Sequence, residues 1–294
     1  MRLVISAIHQ KGGVGKTTLS VCLAGELAKR GFDPLLVDAD PTESAQAWAK
    51  AGKLDFNVVG YPVVPGQTDA WADSISKLDS KVCVIDCGPN DYSLAAACAL
   101  TDVALLACGA SGLDLDGTVR ALRHIQEVRA QRRTPLNVLV VPTRVDGRTI
   151  EGRQLVEQLR ALGEVVTRPL TSRVDYVRAF TAGLSVHAYA PNSEADQEIS
   201  ALADQVLDPL RSHDQGGVAH DARLVAGDDV VAFPHQPEHR AADLAERRLA
   251  QPREDLFQAL DMFLRLRQVE FEAFFQLWRH RRLRHYRKRD EQLL

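Results

Sequence analysis

Hydrophobic positions in the first 212 residues form short apolar runs that alternate with longer stretches of helical periodicity. The runs show little apolar–polar alternation, which is typical of parallel strands covered by helices on both faces. The predicted strands are Leu3–Ile8, Pro34–Asp38, Val82–Asp86, Val103–Cys108, Asn137–Val141 and Val165–Pro169. The predicted helices are Lys16–Arg30, Gly112–Gln131, Ile150–Leu162 and Ala195–Leu210. This alternation predicts an α/β fold with a mostly parallel sheet.

The pattern changes near Ser212. Residues 213–239 carry glycines and prolines without a sustained period, so we predict a linker after a first domain over 1–212. Helical periodicity returns at 240–251 and 253–289, which predicts a C-terminal helical extension over 240–294. Its longer helix carries a broad aromatic and leucine stripe and ends in a basic tip, WRHRRLRHYRKR (278–289). The stripe predicts packing on the first domain or on a second copy; docking to a partner or a membrane is the alternative.

Composition agrees with a soluble globular protein. The chain has 294 residues, 45% hydrophobic and 26% charged, which excludes wholesale disorder. No run approaches the ~18 apolar residues of a transmembrane helix, and the first residues do not resemble a signal peptide. The five cysteines are odd in number and lie in apolar segments, which indicates buried thiols in a reducing compartment. We therefore expect a cytoplasmic protein.

The strongest motif lies between the first strand and the first helix. A polyphosphate needs converging backbone N–H groups, which glycines and a helix N-terminus provide. Lys16 can then reach the β- and γ-phosphates, and the Thr17 hydroxyl can bind Mg²⁺. A glycine-rich turn is the alternative, which this longer pattern disfavours. The predicted nucleotide-binding residues are Lys11, Gly12, Gly13, Val14, Gly15, Lys16, Thr17 and Thr18.

Acidic residues follow two of the predicted strands. LLVDADP (35–41) contains Asp38 and Asp40, and VCVIDCGPN (82–90) contains Asp86 before a glycine-proline turn. Carboxylates at the carboxyl edge of a parallel sheet face the crevice where ligands bind. Asp86 fits a strand-end carboxylate that holds Mg²⁺ through water. For Asp40, a simple turn before Pro41 is the alternative.

The sequence KGGVGKTT, with Lys11 before the double glycine, resembles the deviant Walker A box of the ParA/MinD superfamily of P-loop ATPases. The resemblance implies that ATP-bound dimers are the active species and that Lys11 reaches the partner's phosphates. It also implies that Asp40 orients the attacking water and that Asp38 supports the magnesium and phosphate network. Gly88 departs from the family pattern, because a proline is common at that position.

The resemblance extends through VVPTRVDGRT (140–149) and residues 171–207, especially to short ParF-like ParA proteins. Thr143-Arg144 stands where many ParA proteins have Asn-Arg near the adenine, which implies a nucleotide contact for Arg144. Arg173 and Arg178 stand where the family places basic residues of a DNA-facing surface; partly solvated helix arginines are the alternative. Residues 1–212 have a net charge of −3, so any DNA-binding patch must be local.

The resemblance implies an ATPase that needs ATP and Mg²⁺, dimerises on ATP, binds DNA non-specifically and segregates a plasmid or chromosome complex. A ParB-like protein or cargo adaptor would stimulate hydrolysis, and the protein would associate with the nucleoid of a bacterium. One alternative is the positioning of a protein cargo such as a carboxysome, a chemotaxis cluster or a conjugation complex. A MinD-like membrane switch fits the basic tip poorly, and Lys11 disfavours a metabolic kinase.

Overall fold

A computed structural model describes residues 2–216 of the chain as an alternation of strands and helices. The elements in order are β1 (Leu3–Ile8), α1 (Lys16–Lys29), β2 (Pro34–Asp38), α2 (Ser44–Ala49), β3 (Asn57–Gly60), α3 (Thr68–Ser76), β4 (Val82–Asp86), α4 (Asp91–Leu100), β5 (Val103–Cys108), α5 (Gly112–Gln131), β6 (Asn137–Pro142), α6 (Ile150–Arg160), β7 (Val165–Val166), α7 (Val174–Ala182), α8 (Val186–Tyr189) and α9 (Glu194–Gly216).

The strands form one seven-stranded sheet in the order β3-β2-β4-β1-β5-β6-β7. Every adjacent pair is parallel. All residues of β1, β4 and β5 are buried, as expected for strands with helices on both faces. The predicted α/β P-loop fold with a parallel sheet is therefore confirmed, and the sheet is wholly parallel. β1 lies between β4 and β5, where the direction of strand progression changes and such folds bind ligands.

Helix α1 is the buried helix that fixes the central loop. It packs against β1, β2 and β4 on one side and against α8 and α9 on the other. The packing against α8 is tight: a Cβ added at Gly25 would lie 2.4 Å from Cβ of Ser185. At the far end, Arg30 donates hydrogen bonds to Asp204 (2.7 Å) and to the Ser200 carbonyl (2.8 Å) of α9. These contacts hold α1, which begins at Lys16, between the sheet and the helices α8 and α9.

Most predicted strand bounds agree with the structure, and the largest difference among them is at β7. β7 ends at Val166 instead of Pro169. The chain still follows β6, since Leu170 N–H donates to the Pro142 carbonyl (2.8 Å), but Pro169 has no N–H to continue the ladder. The exposed edge strand β3 and the short helices α2, α3, α4, α7 and α8 were not predicted, because short segments carry little periodicity.

Helix α9 continues to Gly216, beyond the predicted end at Leu210. The rest of the predicted linker over 213–239 and the helical extension with its basic tip over 240–294 lie outside the described residues. Between residues 2 and 216, no helix has the length and apolar character needed to cross a bilayer. The five cysteines are all buried free thiols, as predicted.

Candidate functional site

The loop between β1 and α1 is an open glycine-rich turn. Gly13 (φ 76°) and Gly15 (φ 96°) adopt left-handed backbone conformations that a side chain would strain. No atom lies within 4 Å of a Cβ added at Gly12 or Gly13, so the loop faces free space. Gly15 caps α1 without a side-chain hydrogen bond, which leaves the first helical N–H groups available to a ligand. The loop has the form of an anion cradle.

Lys16 lies beneath this loop as a largely buried cation. Its Nζ donates to the Lys11 carbonyl at 3.0 Å, which holds the side chain back along the loop. Burial lowers the pKa of Lys16, while the charges of Asp86 and Asp40 act in the opposite direction. The side chain is only 6% exposed, so an anion bound in the loop would meet a poorly hydrated cation.

The acidic residues converge because their strands are adjacent and in register. Asp38 of β2 lies opposite Asp86 of β4, and both are fully buried. Asp38 accepts hydrogen bonds from the backbone N–H groups of Asp40 (3.2 Å) and Gln46 (2.9 Å). Despite these bonds, burial raises the pKa of Asp38. Sequence positions almost fifty residues apart thus form one acidic pair beside the loop.

Asp86 is the residue whose surroundings fit a divalent cation. Ser20 Oγ donates to its Oδ1 at 3.3 Å, whereas Oδ2 is buried and has no hydrogen-bond partner within residues 2–216. Burial raises the pKa of Asp86 to about 7, against the opposing effects of the nearby Thr17 hydroxyl and the Lys16 charge. An orphaned carboxylate oxygen beside a threonine hydroxyl and a second carboxylate is a hard-oxygen environment, which suits Mg²⁺.

Asp40 lies at the rim of a cleft beside the glycine loop and is 9% exposed. Its Oδ1 accepts the Thr42 backbone N–H at 2.9 Å, which is the side-chain turn expected of an aspartate in this position. The turn and the cleft-lining position thus occur together in the structure. The two interpretations of Asp40 are therefore compatible.

Lys11 is held within its own chain by an acidic residue that the sequence did not indicate. Its Nζ lies 2.5 Å from Oδ1 of Asp114, in the first turn of α5, and the lysine side chain is 41% exposed. Ser111 Oγ donates to the other oxygen of Asp114 at 2.6 Å. Although partial burial alone would raise it, these hydrogen bonds lower the pKa of Asp114. Lys11 thus lies at the loop rim as a partly exposed, paired cation.

His9 is a second residue that the sequence analysis missed. It is fully buried, and its Nδ1 accepts the Lys11 backbone N–H at 2.8 Å. Nε2 must then carry the proton of the neutral ring and donates toward Thr118 Oγ1 at 3.4 Å. Burial and the charge of Lys16 lower the pKa of His9 to about 4. A neutral histidine therefore fixes the start of the loop, and its burial could be recognised only after folding.

Two consecutive residues after β6 contact the loop carbonyls. Thr143 Oγ1 donates to the Val14 carbonyl at 2.6 Å, and an Arg144 guanidinium nitrogen donates to the Gly13 carbonyl at 2.7 Å. Arg144 has φ 54°, a left-handed conformation that costs a non-glycine residue about 1–2 kcal/mol. Its position is enforced by the adjacent backbone, since Thr143 and Val145 N–H donate to the Cys108 (2.8 Å) and Leu170 (3.1 Å) carbonyls.

The glycine loop, Lys16, Asp40, Thr143 and Arg144 line a cleft of about 810 Å³, which lies within the usual range for small-molecule sites. The cleft wall opposite the loop includes Arg173, Tyr176 and Phe180. Arg173 forms ion pairs with Glu194 and with Glu198 (2.9 Å), so its charge is already partnered. Arg178 is exposed on α7 and does not line the cleft. Of the two arginines predicted to face DNA, Arg173 lines the cleft with its charge paired, and Arg178 is exposed outside the cleft lining.

The fold and the site define a P-loop nucleotide-binding protein. The chain belongs to the CobQ/CobB/MinD/ParA nucleotide binding domain family, whose model matches residues 5–186.

Similar proteins place the chain near partition and positioning proteins. It is 29% identical over 235 residues to the chromosome-partitioning ATPase Soj of Thermus thermophilus, covering 69% of this chain and 94% of that protein. It is 26% identical over 209 residues to the maintenance of carboxysome distribution protein A of Halothiobacillus neapolitanus, covering 69% and 95% respectively. Cobyrinic acid a,c-diamide synthase from Mycobacterium smegmatis, solved with a bound ATP analog and magnesium, shares the fold (TM-score 0.58, 21% identity, 72% and 97% coverage).

Proposed function

We propose that this protein is an ATPase that hydrolyses ATP to ADP and phosphate, dimerises on ATP and binds DNA non-specifically. It would thereby segregate or position a plasmid or chromosome complex in partnership with a stimulating adaptor. The observation that carries the proposal is the site with two lysines. Lys16 lies buried under an open glycine loop, Asp86 and Asp40 lie beside it, and Lys11 lies partly exposed at its rim.

Each residue has a chemical role that its surroundings support. The open loop and the α1 N-terminus would bind the phosphates, and Lys16 would neutralise their charge from below. Thr17 and Asp86 would hold Mg²⁺, with Asp38 supporting them, and the bound ion would supply further charge neutralisation. Asp40, at the cleft rim, would orient the attacking water. Slow hydrolysis in the isolated chain follows if the site is completed only in a dimer.

The role of Lys11 in a dimer is supported by how weakly it is held. An ion pair with one partner 41% exposed is worth at most about 1 kcal/mol, because solvent screens it. A triphosphate carries several charged oxygens and forms stronger charge-assisted hydrogen bonds than a single carboxylate. Lys11 could therefore leave Asp114 and reach a phosphate bound by a second copy of the chain.

DNA binding is supported by the similarity to Soj and by one exposed residue of the predicted pair. Arg178 is exposed and could contact a phosphate directly. Arg173 would first have to leave Glu194 and Glu198. We therefore propose Arg178 as the stronger DNA contact.

Positioning of a protein cargo is the second candidate function. It is favoured by the similarity to the carboxysome distribution protein, which covers the same share of this chain as the similarity to Soj. Both candidates share the ATPase cycle and DNA binding, and they differ in the cargo. The cargo would be identified by which adaptor raises the hydrolysis rate.

The experiment is a binding assay of the full-length protein on random-sequence duplex DNA and on anionic liposomes, each with ATP, ADP or no nucleotide. We expect ATP-dependent, salt-sensitive DNA binding, which Lys16→Ala abolishes. Arg178→Gln should weaken binding, while Arg160→Gln, an exposed arginine on α6, is the matched control for loss of one charge. ATP-dependent binding to liposomes alone would support a membrane switch instead. Binding to neither would contradict the proposed function.

A further inference from the structure

We infer that Thr143 and Arg144 form a clamp that orients the phosphate-binding N–H groups of the loop, and that Arg144 acts through the loop instead of contacting the adenine. This inference rests on the proposed nucleotide function and names two positioning residues for it. The resemblance to ParA proteins implies an adenine contact for Arg144. In the structure its guanidinium instead donates to the Gly13 carbonyl at 2.7 Å.

The geometry of the peptide bond connects the clamp to the ligand. In a planar trans peptide, the carbonyl of one residue and the N–H of the next point in opposite directions. No peptide bond within the described residues is cis. Holding the Val14 carbonyl on Thr143 therefore fixes the direction of the Gly15 N–H, and holding the Gly13 carbonyl on Arg144 fixes that of the Val14 N–H. Neither N–H donates to another group within residues 2–216, so both remain available to a ligand.

The loop needs such a clamp because of its composition. Three glycines among four consecutive residues leave the peptide units free to rotate, and glycine loses more conformational freedom on ordering than other residues. A rotated peptide would direct a carbonyl oxygen, instead of an N–H, toward the phosphates. Thr143 prevents this from a buried position, and a Cβ added at Gly15 would lie 3.7 Å from the Thr143 Cβ. The left-handed strain at Arg144 is also explained, because that conformation places the side chain over the loop.

The test compares ligands that contain different parts of ATP. Full-length wild-type protein and variants are titrated with a fluorescent ATP analogue and Mg²⁺, which is then displaced by ATP, inorganic tripolyphosphate or adenosine. Thr143→Val removes the buried donor at nearly constant volume, and we expect about a 10-fold loss of affinity for ATP and tripolyphosphate with adenosine affinity unchanged. Thr143→Ser should restore binding. Arg144→Met should give a smaller loss with the same ligand pattern, because its hydrogen bond is exposed.

The outcomes are separable. If wild-type protein fails to bind the ATP analogue, the proposed nucleotide function itself fails. If wild-type protein binds but Thr143→Val and Arg144→Met bind equally well, the clamp is wrong. Loss of adenosine affinity in Arg144→Met would also overturn the inference and restore the adenine contact. Arg144 is exposed, so its variant tests the clamp even if Thr143→Val fails to fold.

Discussion

Protonation of His9 should destabilise the protein in mildly acidic solution. The ring is fully buried, and its Nδ1 accepts the Lys11 N–H at 2.8 Å, which only the neutral form can do. The charged groups that face it are Lys16, Asp114 and Lys11. Burial and the Lys16 charge lower its pKa from 6.5 to about 4.

The sign and size of the effect follow from linkage. Between pH 6.5 and pH 4 the unfolded chain binds a proton at His9 and the folded chain does not, so the free energy of unfolding falls as the pH falls. Each unit of pKa difference corresponds to about 1.4 kcal/mol. His9 should therefore remove about 2 kcal/mol between pH 7 and pH 5, and about 3 kcal/mol by pH 4.

The measurement is urea unfolding, followed by circular dichroism, at several pH values over about three pH units, from about 4.5 to about 7.5. The contribution of His9 is the difference in unfolding free energy between wild type and variant at each pH. His9→Asn keeps a side-chain acceptor near the position of Nδ1 and removes the titration, so its unfolding free energy should fall less steeply with decreasing pH. His124→Asn, at a 33% exposed histidine on α5, is the matched control for replacing a histidine by asparagine away from the loop. Equal slopes for wild type and His9→Asn would refute the assigned burial of a neutral ring.

Three further predictions concern the site. Asp40→Ala should bind ATP with near wild-type affinity in a fluorescence titration but lose most hydrolysis, because the carboxylate lies at the cleft rim; failure to bind ATP would contradict its role. Asp114→Asn should free Lys11 and tighten the ATP-dependent dimer about 2- to 5-fold in analytical ultracentrifugation, whereas a weaker dimer would show that the pair supports assembly. Arg144→Gly should relieve the left-handed strain at this position, so the melting temperature should stay unchanged or rise, with a stability gain of at most about 1 kcal/mol, while ATP affinity falls. A large drop in melting temperature would exclude relief of strain.

Much of the site could be predicted from local sequence because its parts are contiguous. The loop from Lys11 to Thr18 lies between an apolar run and a helical period, and this context alone distinguishes it from a chance glycine turn. The strand ends at Asp38 and Asp86 were likewise located to the residue. Their adjacency follows from the strand order, which the residues alone did not specify.

The partners of these residues could not be predicted, because they come from distant segments. Asp114 reaches Lys11 from α5, and Thr143 reaches Val14 from the end of β6, at sequence separations of 103 and 129 residues. Nothing in the local pattern around His9 marks it as a buried neutral ring, since a histidine before a polar loop is ordinarily half-exposed. Arg173 and Arg178 were predicted together as DNA contacts. Arg173 forms ion pairs with two glutamates of α9, whereas Arg178 is exposed.

The sequence by itself determined the chemistry of this protein: a phosphate loop with two lysines, strand-end carboxylates and the order of the βα units. Local spacing is sufficient for these features, because they depend on residues that are neighbours along the chain. The tertiary structure decided which groups hold these residues in place. Lys11 forms an ion pair with Asp114 of the same chain, and the buried His9 accepts the Lys11 N–H. Thr143 and Arg144 donate hydrogen bonds to the loop carbonyls. These contacts form because the sheet brings the carboxyl ends of separate strands to one edge, and local sequence patterns do not specify that arrangement.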